Sequence, residues 1–155
     1  MVEAIELRKL DLFSGLSYAQ VEAIGKLTRK RTFKTGSCVY KQGDEAREVF
    51  ILATGLVSLR GLKSPDELVV AFEHCEPGDL FGAASVMRGH QYTLTAVCVE
   101  QSEVLSIDSS KLSRLCETDF ELGYQLMKRI AEIYFDRFEA AKKEFGIPIA
   151  IEKKR

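Results

Sequence analysis

The chain has 155 residues with 22 basic and 23 acidic side chains, a formal net charge of −1, which argues against a body that grips nucleic acid or acidic lipid over its whole surface. Hydrophobic residues at 46% and charged residues at 29% lie near globular averages, so wholesale disorder is excluded and one domain with its own apolar core is expected. The longest apolar runs, Val49–Ala53 and Leu68–Phe72, hold five residues each, where a membrane-spanning helix needs roughly 20.

The opening Met1-Val2-Glu3-Ala4-Ile5-Glu6 lacks the basic and apolar regions of a signal peptide. Cys38, Cys75, Cys98 and Cys116 form no CxxC pair, so the expectation is a soluble cytoplasmic protein with reduced thiols, no metal knuckle and no membrane association.

In chain order, residues 1–27 read as a helical segment. Leu7, Leu10, Leu12 and Phe13 form a short helix or packed lead-in. Ser17-Tyr18-Ala19-Gln20 then fits a capping box, with Leu16 and Val21 at the staple positions and Val21, Ile24 and Leu27 along one face.

From residue 28 to 108 the texture changes to short apolar runs: Arg29–Phe33, Cys38–Tyr40, Val49–Leu52, Leu56–Leu62, Leu68–Phe72, Asp79–Phe81, Leu94–Val99 and Val104–Ile107. Thr35-Gly36, Gln42-Gly43-Asp44, Thr54-Gly55, Ser64-Pro65-Asp66 and Pro77-Gly78-Asp79 punctuate them. About eight strands cornered by Gly or Pro predict a mainly β fold with flanking helices, an eight-stranded jelly-roll β-barrel.

Residues 109–146 return to helix. Ser109–Cys116 is short. The longer helix over 119–145 opens at a second capping-box pattern, Thr118-Asp119-Phe120-Glu121. Gly146 as a C′ glycine and Pro148 close it, and residues 147–155 form a basic tail. Twenty-seven residues span about 40 Å, more than a small barrel covers. The stripe Leu122, Leu126, Ile130, Ile133 and Phe138 is therefore expected to pair with a second copy in a homodimer, the alternative being that it folds back on the barrel.

The informative segment is Pro77-Gly78-Asp79-Leu80-Phe81-Gly82-Ala83-Ala84-Ser85-Val86. A tight turn leads into a short helical turn of small residues, whose free backbone N–H groups suit an anion. Taken with Gly43-Asp44, Phe50–Val57 and the long C-terminal helix, this order closely resembles the cyclic-nucleotide-binding domain family, which includes protein kinase A regulatory subunits and the sensor half of catabolite-activator-type regulators. The resemblance covers roughly residues 10–145 and implies a phosphate-binding cassette starting at Phe81-Gly82.

The family's cassette carries a Glu for the ribose hydroxyl and an Arg for the cyclic phosphate. Counted from Phe81, those positions are Ala83 and Tyr92, and the small-residue position is Ser85. Losing two charge-assisted bonds costs about 3–6 kcal/mol, on the order of 10²–10⁴ in affinity. The candidate ligand-binding residues are Phe81, Gly82, Ala83, Ala84, Ser85, Arg88, Tyr92 and Thr93. Arg88 lies in the same loop, four residues from the Arg position. Tyr92 offers a neutral ring and one hydroxyl, suited to a less charged ligand or to plugging the pocket.

Other chemistries lack their residues. A cupin metal site needs an HxH pair, and the chain has only His74 and His90; no GxSxG elbow or triad can be assembled. Lys26, Arg29, Lys30, Arg31 and Lys34 read as a solvated face, and the nine residues after Gly146 are too few for a helix-turn-helix.

The expectation is a non-catalytic, stand-alone regulatory sensor domain with no cofactor, no metal site, no catalytic residues and no DNA contact through this chain. Its pocket takes cAMP or cGMP weakly, or a different small ligand, and the C-terminal helix transmits binding to an unknown protein partner. The alternatives are a ligand-free protein-interaction scaffold, or the sensor half of a transcription regulator trimmed of its DNA-binding domain.

Overall fold

The computed structural model describes residues 1–62, 69–87, 91–146 and 148–151. Helix α1 (Ala4–Leu7), a 3₁₀ turn (Asp11–Phe13) and α2 (Tyr18–Leu27) lead into eight strands: β1 (Thr28–Phe33), β2 (Cys38–Tyr40), β3 (Glu48–Thr54), β4 (Val57–Leu62), β5 (Val69–Cys75), β6 (Leu80–Phe81), β7 (Thr95–Cys98) and β8 (Ser102–Asp108). A second 3₁₀ turn (Ala83–Val86) follows β6. Helices α3 (Ser109–Thr118) and α4 (Phe120–Phe145) complete the chain. The expected strands are all present, Cys38–Tyr40 with the expected bounds and the others with ends shifted by at most three residues; Leu68 and the Ser64-Pro65-Asp66 corner lie outside the described residues.

The strands form two antiparallel four-stranded sheets, ordered β1-β8-β3-β6 and β2-β7-β4-β5, in a jelly-roll arrangement. The corners are glycine-built where the chain reverses: Gly36, Gly43, Gly55 and Gly78 all have positive φ. At Gly55 this is obligatory, because a Cβ would sit 2.7 Å from the Gln101 carbonyl oxygen. In the Pro77-Gly78-Asp79 turn the Asp79 carboxylate accepts from the Glu76 N–H at 2.8 Å.

Two apolar clusters share the strand periodicity. Phe50 and Leu52 of β3, Phe81 of β6 and Val104 of β8 point between the sheets, where they meet Tyr40, Val57, Leu59, Cys75, Tyr92 and Cys98. Their neighbours Val49, Ile51, Leu80, Leu105 and Ile107 point outward and are covered by Leu7, Leu12, Phe13, Val21, Ile24, Leu112, Leu122, Leu126 and Ile130. Buried on both faces, β3 reads as a continuous apolar run rather than an alternating one.

The Ser17 capping box forms as expected: Ser17 Oγ accepts from the Gln20 N–H at 3.2 Å, and the Gln20 side chain accepts from the Ser17 N–H at 2.9 Å. The second box does not. Asp119, not Thr118, is the N-cap of α4 and accepts from the Leu122 N–H at 3.0 Å. Thr118 ends α3, its hydroxyl donating to the Leu115 carbonyl. A charged carboxylate is the stronger acceptor for orphan N–H groups. Gly146 is extended, with φ −62° and ψ 135°, so α4 ends without the left-handed C′ residue.

The stripe assigned to helix pairing is corrected in the same way. Leu122, Leu126 and Ile130 are buried in the chain's own core and Ile133 packs at its margin; only Phe138 is exposed. The outer face of the β1-β8-β3-β6 sheet and the N-terminal helices need an apolar cover, and this face of α4 supplies it. A different line is left largely outside, although Met127 packs against the core. Tyr124, Met127, Ala131, Tyr134, Phe138 and Ala141 recur at alternating threes and fours, the spacing of a coiled-coil seam. Tyr124 and Phe138 are each more than 60% exposed on it. No helix among the described residues is long and apolar enough to cross a membrane.

Candidate functional site

The cassette is entered through Gly82, whose φ of 74° is left-handed. A Cβ there would meet Phe50 Cδ2 at 2.9 Å and Tyr40 Cε1 at 3.2 Å, so glycine is required on both conformational and steric grounds. It turns the chain from β6 into the 3₁₀ turn. Ala83 is buried at the start of that turn. Ser85 points away from the pocket: its hydroxyl donates to the Gly82 carbonyl at 3.0 Å and accepts from Ser109 Oγ at 2.5 Å. This ties the cassette to the first residue of α3.

Tyr92 does not face an open pocket. Its backbone is pinned to the Gly43-Asp44 loop, with the Tyr92 N–H donating to the Asp44 carbonyl at 3.0 Å and the Gly43 N–H donating to the Tyr92 carbonyl at 2.8 Å. The ring lies between the sheets, stacked on Tyr40 with centroids 3.8 Å apart and 14° between planes. Tyr40 in turn stacks on Phe50, and Phe50 on Phe81. The Tyr92 hydroxyl donates to the Glu48 carbonyl at 2.7 Å and accepts from the Glu48 N–H at 3.2 Å. Four aromatic rings thus fill the space behind the cassette, and both hydrogen-bonding capacities of the Tyr92 hydroxyl are used within the chain. Burial pushes both tyrosines above the ordinary phenol value, so they remain neutral.

What remains is a cavity of about 120 Å³, which brings together Gly82, Ala83, Ala84, Tyr92 and Thr93 of the expected set. Phe81 lies behind it in the inter-sheet cluster, and Arg88 lies outside the described residues. The other wall was not expected: Tyr40, Glu73 of β5, and Tyr134 and Arg137 of α4. The Arg137 guanidinium donates to the Leu80 carbonyl, pairs with the Glu73 carboxylate at 2.9 Å and lies over the Tyr134 ring, 5.0 Å from its centroid. Burial raises the Tyr134 phenol above its ordinary value.

Burial raises the Glu73 carboxyl despite the opposing pull of Arg137, and Asp79 adds to the rise. The neighbouring Cys75 thiol is pushed up to about 12 by burial, which leaves it inert as a nucleophile.

The sequence carried a signal for Arg137. The expected stripe jumps five residues from Ile133 to Phe138, whereas the face that continues Ile130 and Ile133 reaches residue 137. An arginine at the end of a buried stripe needs a partner, and Glu73 is that partner.

Two of the basic residues among 26–34, both in β1, are neutralised locally: Lys30 pairs with Glu6 at 2.8 Å and Glu103 at 3.6 Å, and Arg31 with Glu48 at 3.0 Å. That pairing suits the solvated face expected of them.

The description "cyclic nucleotide-binding domain" belongs to the family model that matches residues 30–119. An anaerobic regulatory protein of Bacillus subtilis is 27% identical over 119 residues, covering 76% of this chain and 48% of that protein. A cyclic AMP receptor protein of Thermus thermophilus is 30% identical over 97 residues, covering 62% and 44%. The chain therefore spans about half the length of the curated relatives it matches. Among solved structures, a putative cyclic nucleotide-binding protein of Geobacter metallireducens superposes with a TM-score of 0.75 at 27% identity, covering 89% of this chain and 99% of that one. The chain belongs to the cyclic nucleotide-binding domain family and has the jelly-roll fold of its regulatory sensor domains.

Proposed function

We propose that the chain is a non-catalytic regulatory module that works as a homodimer through α4, with a cassette filled by its own aromatic side chains in place of a cyclic nucleotide. The observation that carries this reading is the double placement of α4. Tyr134 and Arg137 reach the cassette, while Tyr124 and Phe138 on the same helix are exposed. A change at the cassette then alters where α4 lies, which is a population shift between two arrangements of the dimer. Small-molecule sites normally need about 300–1,000 Å³, against the 120 Å³ left here. Arg137, the cation beside the cavity, is already committed to Glu73 and Leu80.

Two measurements test this. Light scattering should give a dimer for the native chain and a monomer for Tyr124→Glu/Ala131→Glu, with circular dichroism unchanged. Ile130→Glu, by contrast, should lower the unfolding temperature, because it buries a carboxylate in the core. A double variant that stays dimeric overturns the pairing. In the second measurement, cAMP and cGMP at about 100 times a micromolar-range Kd would stabilise a binding domain by about 2.7 kcal/mol, roughly 5–10 °C at this length. The expected shift is under about 1 °C, and a rise of the full size overturns the closed cassette.

A further inference from the structure

We infer that Tyr134 and Arg137 form an internal latch that takes the ligand's place at the cassette, holding the distal half of α4 against the barrel without any bound molecule. The inference rests on the reading of α4 as the transmitting element and names what controls it. These two residues lie one turn apart and reach three separate parts of the barrel. Tyr134 lines the cassette cavity together with Ala83. The Arg137 guanidinium takes the Leu80 carbonyl on β6 and the Glu73 carboxylate on β5. Arg137 is only 18% exposed and Glu73 33%, so the pair is partly shielded from solvent and from salt, unlike the surface pairs at Lys26 and Arg47.

The surroundings explain why the latch is local. The apolar anchorage of α4 ends at Ile130 and Ile133. Past that point a groove of about 620 Å³ opens between β5 and α4, walled by Phe72, Phe138 and Ala141, with Glu73 and Arg137 at its base. The polar contacts of Arg137 to Glu73 and Leu80 bridge α4 to the barrel at this groove. Tyr134 is also a position of the outward seam. Opening the latch draws it off the cavity wall and shifts the surface presented to a second copy, which couples the cassette to the dimer.

Hydrogen exchange of the 155-residue chain tests the latch. It is read on α4 amides 131–145, with β3 and β8 as the internal control, in the Tyr124→Glu/Ala131→Glu background so that pairing does not mask it. Arg137→Met should speed exchange over 131–145 by roughly 10- to 100-fold, the equivalent of a charge-assisted bond, and leave β3 and β8 unchanged. Glu73→Gln should speed the same segment. Arg137→Lys, a point charge that can serve Glu73 but not both acceptors in a fixed fork, should fall between Arg137→Met and the parent. Unchanged exchange over 131–145 in Arg137→Met overturns the latch, as does a rise spread equally over β3 and β8. Light scattering on the same samples reports separately on dimerisation. If the background variant stays dimeric, the pairing reading fails while the exchange comparison still decides the latch.

Discussion

Removing the Tyr92 hydroxyl probes the feature that most separates this cassette from an open one. Tyr92→Phe deletes two hydrogen bonds to the Glu48 backbone, one donated at 2.7 Å and one accepted at 3.2 Å, and leaves the ring stack on Tyr40 in place. At about 0.5–1.5 kcal/mol net per bond, the loss is about 1–3 kcal/mol. Each kcal/mol moves the midpoint by about 2–4 °C in a chain of this size, so the thermal midpoint should fall by roughly 2–12 °C. Tyr92→Ala also removes the ring from a cluster with 3.8 Å centroid spacing and should cost about 3–5 kcal/mol, or roughly 6–20 °C.

Differential scanning calorimetry on both variants separates hydroxyl from ring. A Tyr92→Phe midpoint within about 1 °C of the native chain would refute the claim that the hydroxyl anchors the ring to β3. Equal losses in the two variants would refute the role of stacking.

Three further outcomes follow from single residues. Gly82→Ala combines a left-handed φ of 74° with a Cβ 2.9 Å from Phe50 and should destabilise by about 1–3 kcal/mol, measured by urea denaturation. Asp108 caps α3 by accepting from the Lys111 N–H at 2.9 Å, a bond that holds its carboxyl below the ordinary value of 3.8. Its stabilisation is therefore full above that value and is lost as pH falls through the lower folded-state value. Asp108→Ala should cost about 1 kcal/mol at pH 7, and the gap to the native chain should close on acidification, followed by urea midpoints against pH. Cys75, buried and raised to about 12, should resist iodoacetamide at pH 8 until the chain unfolds, while the partly exposed Cys38 reacts first; mass spectrometry of peptides reads both.

The strand and helix order was legible in the chain because each element has its own local cause. Ser17 and Gln20 cap α2 with their own side chains, glycines mark the corners, and a period of two gives way to one near 3.6 at residue 109. Linear register gives the expectation that Ala83 and Tyr92 stand where the family's cassette carries Glu and Arg, and both residues line the same cavity.

Tertiary structure decided which face of α4 is inside. Leu122, Leu126 and Ile130 form as good an apolar stripe as Tyr124, Ala131 and Phe138. Periodicity cannot say which of two stripes meets a sheet, because the answer depends on the bare outer face of β3 and β8 and on where α4 leaves α3. The partners of Tyr92 and Arg137 were hidden for the same reason. Glu48 and Glu73 lie 44 and 64 residues away from them in the chain, and only the packing of two sheets and a helix brings backbone and carboxylate to the atoms that need them. Local chemistry set the elements, while burial, a property of the whole fold, set which side chains fill the cassette.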